Sequence, residues 1–143
     1  MGMTAEPMVV DGRIFVTDSL SRVYAVDALS GHLLWKFDPK IALGLSTQNS
    51  YSARVNRGTA VWNGKVYVGT GDCRLFAIDA SSGKQMWVSP ICDPAVTGTT
   101  GAPHVARKGI YRLQRIGRRH PWIAGGFRRR DRKRSLAVLD SSR

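Results

Sequence analysis

The apolar residues of this chain fall in short runs separated by polar turn formers. Met8-Val9-Val10 and Ile14-Phe15-Val16 flank Asp11-Gly12, and Ala60-Val61-Trp62 and Val66-Tyr67-Val68 flank Asn63-Gly64. Asp-Gly and Asn-Gly supply the positive φ angles of two-residue hairpin loops, so each pair predicts a β-hairpin. Third strands follow at Val23-Tyr24-Ala25-Val26 and Leu75-Phe76-Ala77-Ile78. Second turns come next, Asp27-Ala28-Leu29-Ser30-Gly31 and Asp79-Ala80-Ser81-Ser82-Gly83. There Asp can accept from the backbone ahead of it, and Gly can take the left-handed conformation. Last strands carry Leu34-Trp35-Lys36-Phe37 and Met86-Trp87-Val88.

These runs are one pattern written twice. Gly12–Trp35 and Gly64–Trp87 align without a gap. Gly12, Val16, Arg22, Ala25, Asp27, Ala28, Ser30, Gly31 and Trp35 each recur 52 positions later. A repeat of this size with about four short strands is the content of one propeller blade. The predicted fold class is therefore all-β, a partial β-propeller of about two blades within residues 1–105. Trp35 and Trp87 are core aromatics, and their recurrence predicts that each seals one blade against the next. Small Ala25 and Ala77 leave room for the neighbouring sheet.

Charge divides the chain differently. Its 143 residues carry a formal net charge of +12. Met1 to Pro103 holds nine Lys and Arg against eight Asp and Glu, whereas His104 to Arg143 holds thirteen against two. The body is nearly neutral and the excess sits in a basic tail, residues 106–143, expected to be disordered or poorly structured. No apolar run approaches the roughly 20 residues that span a bilayer, so no membrane span is predicted. Residues 1–7 show neither the basic segment nor the apolar stretch of a signal peptide. The chain reads as though a segment upstream were missing. Cys73 and Cys92 are too few for a disulfide scaffold. They are either one bridge formed in an oxidising compartment or two partly buried thiols.

The pattern Ala-x-Asp-Ala-x-Ser-Gly-x-x-x-Trp, at Ala25–Trp35 and Ala77–Trp87, resembles the tryptophan-docking motif of quinoprotein dehydrogenases. TAEPMVVDGRIFV, SRVYAVDALSGHLLWKFDPK, NRGTAVWNGKVYVGTGD and TGTTGAP follow in the order seen in the pyrroloquinoline-quinone (PQQ)-dependent alcohol dehydrogenase branch. The resemblance covers roughly Thr4 to Val105. It implies an eight-bladed propeller of much greater length, with PQQ on the central axis. It also implies a calcium or lanthanide ion as Lewis acid, an aspartate as base toward an alcohol substrate, a cytochrome c-type electron acceptor and a periplasmic location.

Two site residues carry over from the resemblance. Arg57, in Val55-Asn56-Arg57-Gly58, matches the family's cofactor-contacting arginine. A guanidinium suits the quinone's carboxylates through paired, charge-assisted hydrogen bonds. Thr100, in Thr99-Thr100-Gly101-Ala102-Pro103, matches a threonine whose hydroxyl bonds the cofactor. The plain alternatives are a surface arginine at a strand start and a turn threonine. No catalytic residue and no metal ligand is assigned.

Departures from the family pattern matter as much. Many members carry adjacent cysteines just before the Asn-Arg-Gly stretch, where this chain has Tyr51 and Ser52. The family's upstream glutamate has no counterpart. The metal ligands and the catalytic aspartate belong to other blades. A chain with two blades is therefore expected to be inactive by itself.

After Val105 the strand-and-turn pattern gives way to Arg118-Arg119-His120 and Arg128-Arg129-Arg130-Asp131-Arg132-Lys133-Arg134. Such a block can be a phosphate-binding arm, but no aromatic platform or base-reading pattern accompanies it, and no nucleic-acid partner is expected. A frameshift is the better account. Back-translating from Gly109 and reading one base later permits a sequence containing FDAETGKEAW, a third copy of the docking motif. Its Trp falls at Leu136, 49 positions after Trp87. A non-catalytic propeller scaffold is the remaining alternative. Asn56-Arg57-Gly58 and Thr100-Gly101-Ala102-Pro103 favour the dehydrogenase branch over it.

Overall fold

A computed structural model describes residues 5–41, 55–95, 97–106, 109–112 and 115–117. Every regular element among them is a strand. The first unit contains β1 (Met8–Val10), β2 (Arg13–Thr17), β3 (Val23–Asp27) and β4 (Leu33–Phe37). They form one antiparallel meander in the order β1-β2-β3-β4. The second unit repeats it with β5 (Ala60–Trp62), β6 (Lys65–Gly69), β7 (Arg74–Asp79) and β8 (Gln85–Pro90). The register repeats as well. Phe15 faces Ala25 and Ala25 faces Trp35, as Tyr67 faces Ala77 and Ala77 faces Trp87. Each unit has an irregularity at the same place, between Ala25 and Val26 and between Ala77 and Ile78.

The turns form as their residues dictate. Asp11 and Gly12 take φ of 49° and 72°, and Asn63 and Gly64 take 47° and 71°. These left-handed pairs match the twist of the strands they join. In the later turns the carboxylates of Asp27 and Asp79 accept from main-chain N–H groups two and three residues ahead. Bonds from the hydroxyls and amides of Ser81 and Ser82 hold the Asp79 carboxyl well below its usual range, at about 2.

The two blades enclose one core. Phe15, Val23 and Ala25 of the first unit pack with Val66, Val68, Phe76 and Ile78 of the second, and Trp35 and Phe37 close the edge. Phe37 meets Phe76 edge to face, with centroids 5.3 Å apart. Phe15 and Phe76 are buried, and each contributes roughly 1.5–3 kcal/mol, whereas the partly buried Trp35 and Phe37 contribute less. The Trp35 indole N–H donates to the Ala80 carbonyl at 3.1 Å, so the ring of one blade is tied to the turn of the next. A Cβ at Gly83 would lie 2.7 Å from that ring. The last turn of one blade is thus the floor on which the preceding blade's tryptophan rests. Arg74 adds a polar tie, donating to the carbonyls of Pro39 and Lys40 at 2.9 and 3.1 Å.

A third unit begins beyond the second. β9 (Thr97–Thr99) pairs with β12 (Arg115–Gly117), and β10 (His104–Ala106) pairs with β11 (Gly109–Arg112). Backbone pairing therefore runs past Val105, to Gly117. The basic residues 118–143 lie outside the described residues, as do Tyr51 and Ser52. Cys73 and Cys92 are joined in a disulfide with Cα atoms 5.0 Å apart, which settles the two alternatives left open by the sequence. The bridge fastens the start of β7 to the segment leaving β8.

Candidate functional site

The chain segments that lead into β1, β5 and β10 run side by side. Glu6 and Gly58 form a parallel bridge. The Glu6 N–H donates to the Arg57 carbonyl at 3.2 Å, and the Arg57 N–H donates to the Thr100 carbonyl at 2.8 Å. Three consecutive units thus contribute one residue each to a continuous main-chain row. Arg57 and Thr100, far apart in sequence, are direct neighbours in it.

Their side chains differ in a way that bears on chemistry. Arg57 is exposed. Thr100 is fully buried, and its hydroxyl has no hydrogen-bond partner among the described residues. A buried hydroxyl without a partner costs roughly 1–3 kcal/mol, so it marks either strain or a place for a group that would satisfy it. Thr59 repeats this feature, 3% exposed with an unpartnered Oγ1. No sequence signal distinguishes Thr59 from an ordinary threonine beside a strand. The neighbouring Thr99 is satisfied, its hydroxyl donating to the Thr70 carbonyl at 2.7 Å. That bond joins the second unit to the third.

Asn56 is the best-connected side chain here. It is 1% exposed. Its Oδ1 accepts from the Thr17 hydroxyl and from the Gly58 N–H, both at 2.9 Å. Its Nδ2 donates to the Ser21 hydroxyl at 2.9 Å and to the Gly69 carbonyl at 2.8 Å. Gly58 takes φ of 130°, and a Cβ there would sit 3.0 Å from the Glu6 carbonyl oxygen. Only glycine fits that conformation beside the neighbouring strand. The Asn-Arg-Gly triplet is thereby accounted for residue by residue: a buried anchor, an exposed cation and a close backbone contact.

Among the described residues no group of three or more His, Cys, Asp or Glu gathers as a metal site. What remains is an exposed arginine whose main chain adjoins that of Thr100, and two buried threonine hydroxyls, of Thr59 and Thr100, with hydrogen-bonding capacity to spare.

Residues 1–88 match the PQQ family model of the glucose/ethanol/alcohol dehydrogenase β-propeller domain. The chain belongs to this family. Quinohemoprotein alcohol dehydrogenase ADH IIB of Pseudomonas putida is 48% identical over 107 residues, 74% of this chain. The chain spans about 15% of that relative's length. The crystal structure of quinohemoprotein alcohol dehydrogenase from Comamonas testosteroni superposes with a TM-score of 0.70 at 36% identity, covering 81% of this chain and 17% of that one. A europium-containing methanol dehydrogenase gives a TM-score of 0.64 at 28% identity, over 81% of this chain and 22% of its own. The PQQ dehydrogenase propeller is thus the architecture to which both blades belong.

Proposed function

We propose that this chain is a two-blade sector of a PQQ-dependent alcohol dehydrogenase, and that Arg57 and Thr100 form part of the wall that holds the quinone. The observation that supports this best is the hydrogen bond from the Arg57 N–H to the Thr100 carbonyl, which makes main-chain neighbours of an exposed arginine and a threonine whose buried hydroxyl has no partner among the described residues. PQQ carries carboxylates for the first and oxygen acceptors for the second, so the residues present fit the group. Arg57 would bind a carboxylate through paired charge-assisted bonds. Thr100 would donate a hydrogen bond from its Oγ1 hydroxyl, relieving the cost of its burial. Bound PQQ supplies the two-electron acceptor for oxidation of an alcohol, polarised by calcium or a lanthanide. This chain's residues orient and retain it. A cytochrome c-type protein is the onward acceptor in this reading, and the periplasm the compartment. The Cys73–Cys92 disulfide supports an oxidising location.

By itself the chain oxidises no alcohol in this reading, because the base and the metal ligands belong to other blades. The test is a titration of the purified chain with PQQ, followed by quinone absorbance and fluorescence, with and without calcium. Saturable binding weakened about tenfold or more in Arg57→Ala is expected, the loss of one charge-assisted contact. Dye reduction on adding an alcohol is expected to stay at background. Binding indifferent to Arg57→Ala, or alcohol-dependent dye reduction, defeats the proposal.

The basic residues from 106 onward are, in the same reading, out-of-frame translation of a third blade. Sequencing the DNA through the Lys108 codon and beyond tests this. Propeller sequence continuing in the shifted frame supports it. A confirmed basic tail with no propeller sequence in that frame removes it.

A further inference from the structure

Arg57 is the middle residue of a turn closed by a side chain. Asn56 Oδ1 accepts from the Gly58 N–H at 2.9 Å, a ring that encloses Arg57 and fixes its backbone dihedrals. The same carboxamide is held from both blades. Thr17 and Ser21 bind it from the first unit, and the Gly69 carbonyl binds it from the second. The orientation of the amide is unambiguous, because the Gly58 N–H can only donate and the Gly69 carbonyl can only accept. Both amide protons and two oxygen acceptor sites have partners, and the group is buried.

We infer that Asn56 is a positioning residue, which couples the docking of the first blade on the second to the direction in which Arg57 presents its guanidinium. This rests on the reading that Arg57 faces PQQ. Had packing alone been required at this place, an apolar side chain would fill the space without the demand for four matched partners. The carboxamide does what an apolar group cannot. It holds the Arg57–Gly58 peptide in one orientation while reporting the relative position of two sheets. If the blades separate, Thr17 and Ser21 withdraw, the amide is released and the turn around Arg57 loses its anchor. Quinone affinity should therefore fall before the blades themselves unfold.

The test uses the full chain with Asn56→Asp and Thr17→Val. Asn56→Asp keeps the acceptor for Gly58 but sets a second acceptor oxygen against the Gly69 carbonyl. Thr17→Val removes one tie from the first blade and leaves Asn56 in place, so it stays informative if Asn56→Asp does not fold. Amide hydrogen exchange is followed at Arg57 and Gly58 and, as the internal control, at Ala77 in the middle of β7. Affinity for PQQ and the urea midpoint are measured in parallel. Exchange at Arg57 and Gly58 is expected to rise about tenfold or more beyond any rise at Ala77, and PQQ binding to weaken about tenfold, while the urea midpoint falls because a carboxylate replaces a buried amide. Thr17→Val should move both in the same direction by less. Unchanged exchange at Arg57 and Gly58, an equal rise at Ala77, or unchanged affinity once local exchange has risen would each overturn the inference. If the parent chain does not bind PQQ at all, the quinone reading fails. The exchange comparison then decides alone whether Asn56 positions Arg57.

Discussion

Arg57 and Thr100 share a main-chain hydrogen bond of 2.8 Å across the boundary between the second and third units. Their side chains serve opposite needs there. The guanidinium is exposed and the hydroxyl is buried with no partner. Such a hydroxyl is a cost to the folded chain unless a ligand satisfies it. Thr100→Val should therefore stabilise the isolated chain by about 1 kcal/mol, since it removes a desolvated polar group at small change of shape. The urea midpoint measures this. In the same variant PQQ affinity should fall. A gain in stability with a loss of binding separates a ligand contact from a structural threonine, which would lose stability on the same change.

Local order explains how much of this could be read in advance. Hairpins at Asp11-Gly12 and Asn63-Gly64 and the carboxylate-closed turns rest on residues within a few positions of each other, and the likeness of the two blades rests on a gapless repeat at an offset of 52. Arg57 and Thr100 were singled out by motif resemblance, and the structure makes their main chains neighbours. Asn56 stood in the motif, but its contacts with Thr17 and Ser21 span 39 and 35 residues and join polar groups that follow no period. Only the packing of two sheets reveals them. The pairing of Thr97–Thr99 with Arg115–Gly117 escaped for a related reason, because the basic composition after Val105 masks the backbone's continued pairing.

Two equivalent glycines allow the docking of Trp35 to be weighed. Gly31 and Gly83 both take φ of 72°. A Cβ at Gly31 would meet nothing within 4 Å, whereas one at Gly83 would lie 2.7 Å from the Trp35 ring. Gly31→Ala should cost only the left-handed backbone penalty, roughly 1–2 kcal/mol. Gly83→Ala should cost that and a further overpacking penalty of about 1–3 kcal/mol. Comparing denaturation midpoints of the two variants isolates the interblade contact. Equal costs would mean that Trp35 does not rest on this turn in solution.

The Cys73–Cys92 bridge closes a loop with a sequence separation of 19. Loop-closure entropy assigns such a link about 3 kcal/mol. A paired replacement, Cys73→Ser with Cys92→Ser, should lower stability by that order. Reduction of the parent chain should do the same. The effect should centre on β7 and β8, which the bridge fastens, and hydrogen exchange resolved by residue would show it there first. Uniform loosening of both blades would instead mean that the bridge supports the whole two-blade unit.

Acid should act first at the turns that end the third strand of each blade. The Asp79 carboxyl lies at about 2 against an ordinary value of 3.8, and Asp27 is lowered in the same direction by Ser30. A folded pKa below the unfolded one means that the stabilisation is complete above the unfolded value, near pH 4. It is then lost progressively as pH falls toward 2. Both carboxylates are solvent-exposed, so the effect is local and modest. It still has a structural consequence, because the Asp79 turn includes Gly83 and the Ala80 carbonyl that receive Trp35. Protonating Asp79 should loosen that floor and shift the Trp35 fluorescence between pH 4 and 2. Asp79→Asn keeps an acceptor oxygen but does not titrate in this range. It should flatten the transition while giving a lower plateau near neutral pH. A transition that persists unchanged in Asp79→Asn would assign the acid response to another group.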